Sequence, residues 1–143
     1  MTTDTSERGL ESLVCTALTG APCEPGVPAN RVQERPATYA ARWICGAAED
    51  YDREYCVDLA QLAAFLAATQ PQVGEALDLG TDGPTRRRFL ARLQGEISRR
   101  GTIDVLRHGI KHGPHQIDLF YGTPSPGNPV AAERYAQNRF SVT

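Results

Sequence analysis

Lysine occurs once in the 143 residues, at Lys111. A P-loop of the form GxxxxGK[ST] needs a lysine to reach the β and γ phosphates. Gly122 and Gly127 bracket a short turn-rich stretch, but Asn128 and Pro129 follow, so no nucleotide site is expected there. No GxSxG elbow occurs either. No apolar run approaches the roughly 18 residues that cross a bilayer, so a membrane is not an expected partner. The residues after Met1 lack the basic start and apolar core of a signal peptide, and a cytoplasmic location is expected. The four cysteines, Cys15, Cys23, Cys45 and Cys56, form no C-x-x-C pair of the kind that zinc ribbons and redox motifs require. Free thiols are the expectation.

What is present fits an ordinary globular chain. Hydrophobic residues make up 41% and charged residues 22%, which argues against wholesale disorder. The length fits one domain over 1–143. Net charge is only -2, yet residues 1–80 carry 5 basic and 12 acidic groups while residues 81–143 carry 10 and 5. A polyanion should therefore meet the second half.

Along the chain, Leu10, Leu13, Val14, Ala17 and Leu18 stand at helical spacing. Asp4 with Glu7 resembles a capping pair, and Gly20 supplies a stop. Residues 21–40 are rich in proline and read as a loop or insertion; residues 39–45 read as a short strand. Residues 55–69 read as a helix with Leu59, Leu62, Ala63 and Leu66 on one face and Phe65 beside them. Its acidic lead-in, residues 49–54, is read as favouring the positive end of that helix rather than as a cation site. Pro84 opens a further helix with Phe89, Leu90, Leu93 and Ile97 inward and arginine on the other side, ending at Gly101. A short helix over residues 102–107, with Ile103 and Leu106 inward, precedes breakers at Gly109, Gly113 and Pro114. Ile117, Leu119 and Tyr121 alternate as in a half-buried strand. Asn128 and Pro129 cap and open a last short helix, and residues 139–143 read as the first residues of a strand. A strand beginning there suggests that a remainder follows.

Three constellations bear on chemistry. His108, His112 and His115 lie four and three apart, but the breakers between them prevent a continuous helix, and no zinc site is expected. Arg107, Lys111 and a neighbouring histidine are instead candidates for phosphate contact, as are Arg86, Arg87 and Arg88. Metal-dependent nucleases of the PD-(D/E)xK class need an acidic residue on one strand and acidic-x-Lys on the next, so that two carboxylates hold Mg²⁺. Gly109 stands two before Lys111, and no acidic residue has Lys or Gln two places later. That active-site pair is therefore missing from these residues.

Four stretches nevertheless resemble the N-terminal, nuclease-domain region of type I restriction enzyme R subunits. They are ERGLE at residues 7–11, YDREYCVDLAQLAAFLAATQP at 51–71, DGPTRRRFLARLQGEISRRGTIDVLRHGIKHGPHQIDLFYGTPSPGNP at 82–129, and AAERYAQNRFSVT at 131–143. The resemblance implies an α/β class: the N-terminal part of a restriction-endonuclease-like fold, helix-rich, with an incomplete sheet. In that family the Asp and Glu-x-Lys follow the equivalent of FSVT. The R subunit cleaves double-stranded DNA with Mg²⁺ and ATP, alongside modification and specificity subunits. Neither cofactor is expected on this chain alone. Nucleases of this fold often present a Glu from the first helix toward the metal, with apolar residues three and seven places later. Glu11 fits, with Val14 and Leu18, and Glu7 is the second candidate. The alternative is a freestanding binding module that pairs with restriction subunits or DNA without catalysis.

Overall fold

The computed structural model describes residues 6–20, 23 and 43–143, and the proline-rich loop expected over 21–40 lies outside them apart from Cys23. Its described part is mixed α/β and helix-rich, with small sheets. The chain divides into two compact units within the second helix, between Gln61 and Leu62: residues 1–61 with 139–143, and residues 62–138.

In the first unit, helix α1 spans Glu7–Thr19. Ser6 caps it, its hydroxyl accepting from the Gly9 N–H at 3.1 Å, and Gly20 closes it at φ 83°. The expected capping residue, Asp4, lies outside the described residues. Strand β1, Trp43–Cys45, pairs in parallel with β6, Phe140–Val142, and Trp43 meets its register partner Phe140 at 5.5 Å between ring centroids. Both strands fall within the stretches read as strands, residues 39–45 and 139–143. The acidic lead-in behaves differently from expectation. Residues 48–50 form a 3-10 turn, and β2, Tyr51–Asp52, pairs antiparallel with β3, Val57–Asp58. Asp52 Oδ1 accepts from the Glu54 and Tyr55 amides and so shapes the turn. Cys56 adopts φ 55°, incompatible with helix, and helix α2 begins at Leu59 rather than Tyr55, running to Thr69. Its first turn is capped by Asp58, which accepts from the Gln61 N–H at 3.0 Å.

The cysteine expectation is corrected as well. Cys23 and Cys45 form a disulfide with Cα atoms 5.5 Å apart, while Cys15 and Cys56 are free. Spacing excludes a local C-x-x-C motif but carries no information about cysteines 22 positions apart that the fold brings together.

The second unit holds the core. Phe65 and Leu66 of α2 are buried, as are Val73 and Leu77 of the short helix α3, Pro71–Leu77, and Phe89, Leu90 and Leu93 of α4, Pro84–Arg100. Helix α5, Thr102–His108, buries Val105, whereas Ile103 is 63% exposed, contrary to the expected inward stripe. Gly101, at φ 85°, separates α4 from α5 as expected, and in α5 it is Val105 rather than Ile103 that turns to the core. Beyond α5, strand β4, Ile110–His112, pairs antiparallel with β5, His115–Ile117, across a turn at Gly113 and Pro114. The breakers thus make a hairpin. Gly113 at φ 56° followed by proline's negative φ is the combination a type II′ turn requires. A side chain on Gly109, at φ 63°, would collide with the Ile117 carbonyl.

The strand expected through Tyr121 stops at Ile117 because side chains replace a neighbouring strand beyond it. Gln70 Nε2 donates to the Asp118 carbonyl at 2.8 Å while its Oε1 accepts from the Asp118 N–H at 3.0 Å. Asn138 does the same for Tyr121, at 2.7 and 2.9 Å. Two side-chain amides thereby satisfy backbone groups that a ladder would otherwise pair. Helix α6, Pro129–Ala136, is capped by Asn128, which accepts from the Ala131 N–H.

Candidate nucleic-acid interface

Helix α4 is built so that its arginines stand outward of a stripe formed by Phe89, Leu90 and Leu93. They do not act alike. Arg86 is tied back to Asp82 at 2.9 Å and to the Leu79 carbonyl at 3.4 Å, and only 15% of its side chain is exposed. Arg87 makes a two-pronged pair with the same carboxylate, at 3.1 and 3.2 Å. The Arg87 guanidinium beside it holds Asp82 below the usual carboxylate range, with Arg86 adding to the effect. Arg88 is exposed and, among the described residues, has no hydrogen-bond or ion-pair partner. Of the three arginines singled out by sequence, one is thus free to meet an external anion.

Farther along α4, Glu96 is buried under three guanidiniums. Arg99 meets it at 2.7 Å, and Arg92 and Arg100 each at 3.2 Å. Hydrogen bonding from Arg99, then from Arg100, keeps its carboxyl below the ordinary range despite burial. Arg100 also grips Asp104 of α5 and the Gly109 carbonyl, fastening the α4–α5 corner. Arg100 is thereby occupied with holding the fold, whereas Arg92 stays half-exposed beside its contact with Glu96. Sequence reasoning missed the buried Glu96; its signal was a glutamate in the apolar row of α4, with arginines at i−4, i+3 and i+4.

The remaining candidates divide by element. Arg107 is exposed at the end of α5, and Lys111 is exposed on β4 opposite Gln116. The three histidines separate: His108 Nδ1 is 3.0 Å from Asp104 Oδ1, whereas His112 and His115 face each other across the hairpin. His112 packs edge-on against Phe89, 5.6 Å between centroids. Burial, then the Arg88, Arg92 and His115 charges, push its pKa below the ordinary imidazole value. Among the described residues no group of three metal-ligating side chains converges. An open groove of about 450 Å³ in the same unit carries Glu75 and Asp78 among small residues, a poor match for an anion.

Glu7 and Glu11 are both exposed on α1 in the other unit. Leu10, Leu13, Val14 and Leu18 of that helix are exposed too, at 62%, 55%, 44% and 37%. No helix among the described residues is long and apolar enough to cross a membrane. No protein family, curated protein or solved structure matches the chain.

Proposed function

We propose that the chain is the N-terminal segment of the nuclease region of a cytoplasmic type I restriction R subunit, with a restriction-endonuclease-like fold, contributing scaffold and a DNA-facing basic surface. The supporting observation is the coincidence of two features: residues 82–129 carry the longest stretch of resemblance, and the exposed cations Arg88, Arg107 and Lys111 lie in that stretch. Phosphate contacts of this kind position a protein on a duplex without reading its sequence. In the full subunit, Mg²⁺ would serve hydrolysis and ATP the motor, with modification and specificity subunits as partners. Glu11, with Glu7 second, is the residue that would face the metal.

The purified chain should bind a DNA duplex weakly. It should lose about tenfold or more in affinity between roughly 50 and 200 mM salt, because each neutralised phosphate releases counterions. It should not cleave the duplex with Mg²⁺, since no acidic-x-Lys lies in the sequence. Absence of duplex binding at low salt, measured by fluorescence anisotropy, would overturn the DNA-facing reading.

A second reading, a binding module that pairs with restriction subunits without catalysis, draws on the exposed apolar row of α1. Sedimentation of the chain with modification and specificity subunits tests it: a stable complex weakened by Leu13→Ser supports it, and independent sedimentation removes it.

A further inference from the structure

The β4–β5 register sorts the hairpin's side chains. Residues paired across the ladder share a face, so Ile110 with Ile117 and His112 with His115 stand on one side and Lys111 with Gln116 on the other. Ile110 and Ile117 are buried, which fixes their side as the one turned to the core. His112 and His115 continue that side at the turn end of the hairpin, next to Gly113 and Pro114. There the His112 ring meets Phe89 of α4 edge-on.

Arg88 is the residue before Phe89, and Arg92 lies one helical turn beyond Arg88. Arg92 Nε donates to the Lys111 carbonyl at 3.3 Å, which ties this edge of the helix to β4. Arg88 has no partner among the described residues, and Arg92 is half-exposed although it also pairs with Glu96 at 3.2 Å. Arg86 and Arg87, by contrast, are turned to Asp82.

We propose that Arg88, Arg92, His112 and His115 form a seat for the phosphodiester backbone of a DNA duplex, and that His112 makes its occupancy depend on pH. The proposal rests on the DNA-facing reading and narrows it to one corner of the second unit. Two guanidiniums supply fixed positive charge, and an imidazole that gains a proton supplies both charge and a further donor to a phosphate oxygen. The charged and titratable groups facing His112 are Arg88 and Arg92 from α4 and His115 from β5, with Glu96 one turn beyond Arg92. Burial, and after it the flanking cations, disfavour protonation of His112 while the seat is empty. A bound phosphate offsets the cationic contribution and favours the protonated ring, so binding takes up protons and tightens as pH falls.

The test is fluorescence anisotropy of a labelled random-sequence DNA duplex, followed between about pH 8 and pH 5.5 to span the imidazole range. Parental chain is compared with Arg88→Ala, Arg87→Ala, His108→Gln and the double variant His112→Gln/His115→Gln. Circular dichroism confirms that each is folded. Arg88→Ala should weaken binding about fivefold to tenfold and lower the salt slope by about one, while the double histidine variant loses the tightening toward acid pH. If the duplex binds but the loss follows Arg87→Ala and spares Arg88→Ala, the seat is wrong and the DNA-facing reading stands. If acid tightening persists in the double histidine variant or disappears in His108→Gln, the pH dependence is wrongly placed. If the parental chain fails to bind at low salt, both the seat and the reading beneath it fall.

Discussion

Every buried apolar side chain among the described residues belongs to the second unit, from Phe65 to Ile117, whereas α1 in the first unit leaves Leu10 and Leu13 more than half exposed. Yet α1 and α4 carry comparable apolar rows at helical spacing. Periodicity establishes that a segment gains by folding as a helix. Burial of its apolar face depends on what other segments bring to it. For α4 those segments are close in sequence: α3 and the corner with α5 pack on it, and β4 follows at once. The first unit is held by other means, namely a parallel strand pair between residues far apart in the chain, the Trp43–Phe140 contact and the Cys23–Cys45 disulfide.

The largest expected effect is at the core of the second unit. Phe89→Ala should cost about 3 to 5 kcal/mol, since Phe89 is fully buried and its loss leaves a cavity. Leu13→Ala on α1 should stay within about 0.5 kcal/mol. Urea titrations followed by circular dichroism measure both, and equal costs would break the contrast between the units.

Next comes reduction of the Cys23–Cys45 bond. Closing a loop of this length stabilises by about 3 kcal/mol in the chain-entropy description, and the first unit has no buried apolar side chain among its described residues to replace it. Trp43, adjacent to that bond through Ile44 and Cys45, is the sole tryptophan and reports on this unit. Reductant should lower the urea midpoint seen by tryptophan fluorescence and leave the helical transition of the second unit in place. A common shift in both signals would mean that the units unfold as one.

Gln70→Ala should cost about 1 to 3 kcal/mol, because it leaves both backbone groups of Asp118 without the amide that serves them. The same measurement on Gln61→Ala, which removes one exposed contact to Arg139, should show little.

The pH dependence should also differ between the units. Asp82, Glu96 and Asp104 of the second unit have carboxyls held below their ordinary range by Arg87, Arg99 and Arg100 respectively. A carboxylate whose folded pKa is depressed stabilises the fold above its unfolded value, and the contribution disappears as pH falls through the folded one. His112, also depressed, adds a penalty once pH drops below the ordinary imidazole range, since the unfolded chain then binds the proton more readily. The second unit should therefore lose stability from mildly acid pH downward. Thermal melts across that range read the trend, and a rise in stability toward acid would contradict it.

Much of the second unit was legible because its determinants are local. Pro84 and Gly101 bound α4, Asn128 and Pro129 open α6, and the Phe89–Leu90–Leu93 row names the buried face. The β4–β5 hairpin was hidden because Gly109, Gly113 and Pro114 look like interruptions until the register across them is known. The end of β5 was hidden because Gln70 and Asn138 supply from a distance what a strand would. For the same reason the arginine triad looked uniform: only the fold shows that Asp82 engages Arg86 and Arg87 while Arg88 stands beside the hairpin histidines.

The most direct test of the DNA-facing account is amide hydrogen exchange of the chain with and without a DNA duplex at low salt. The account predicts slowed exchange in the first turns of α4 and in the β4–β5 hairpin, with α1 unchanged. Protection confined to α1, or no protection anywhere despite bound duplex, would contradict it.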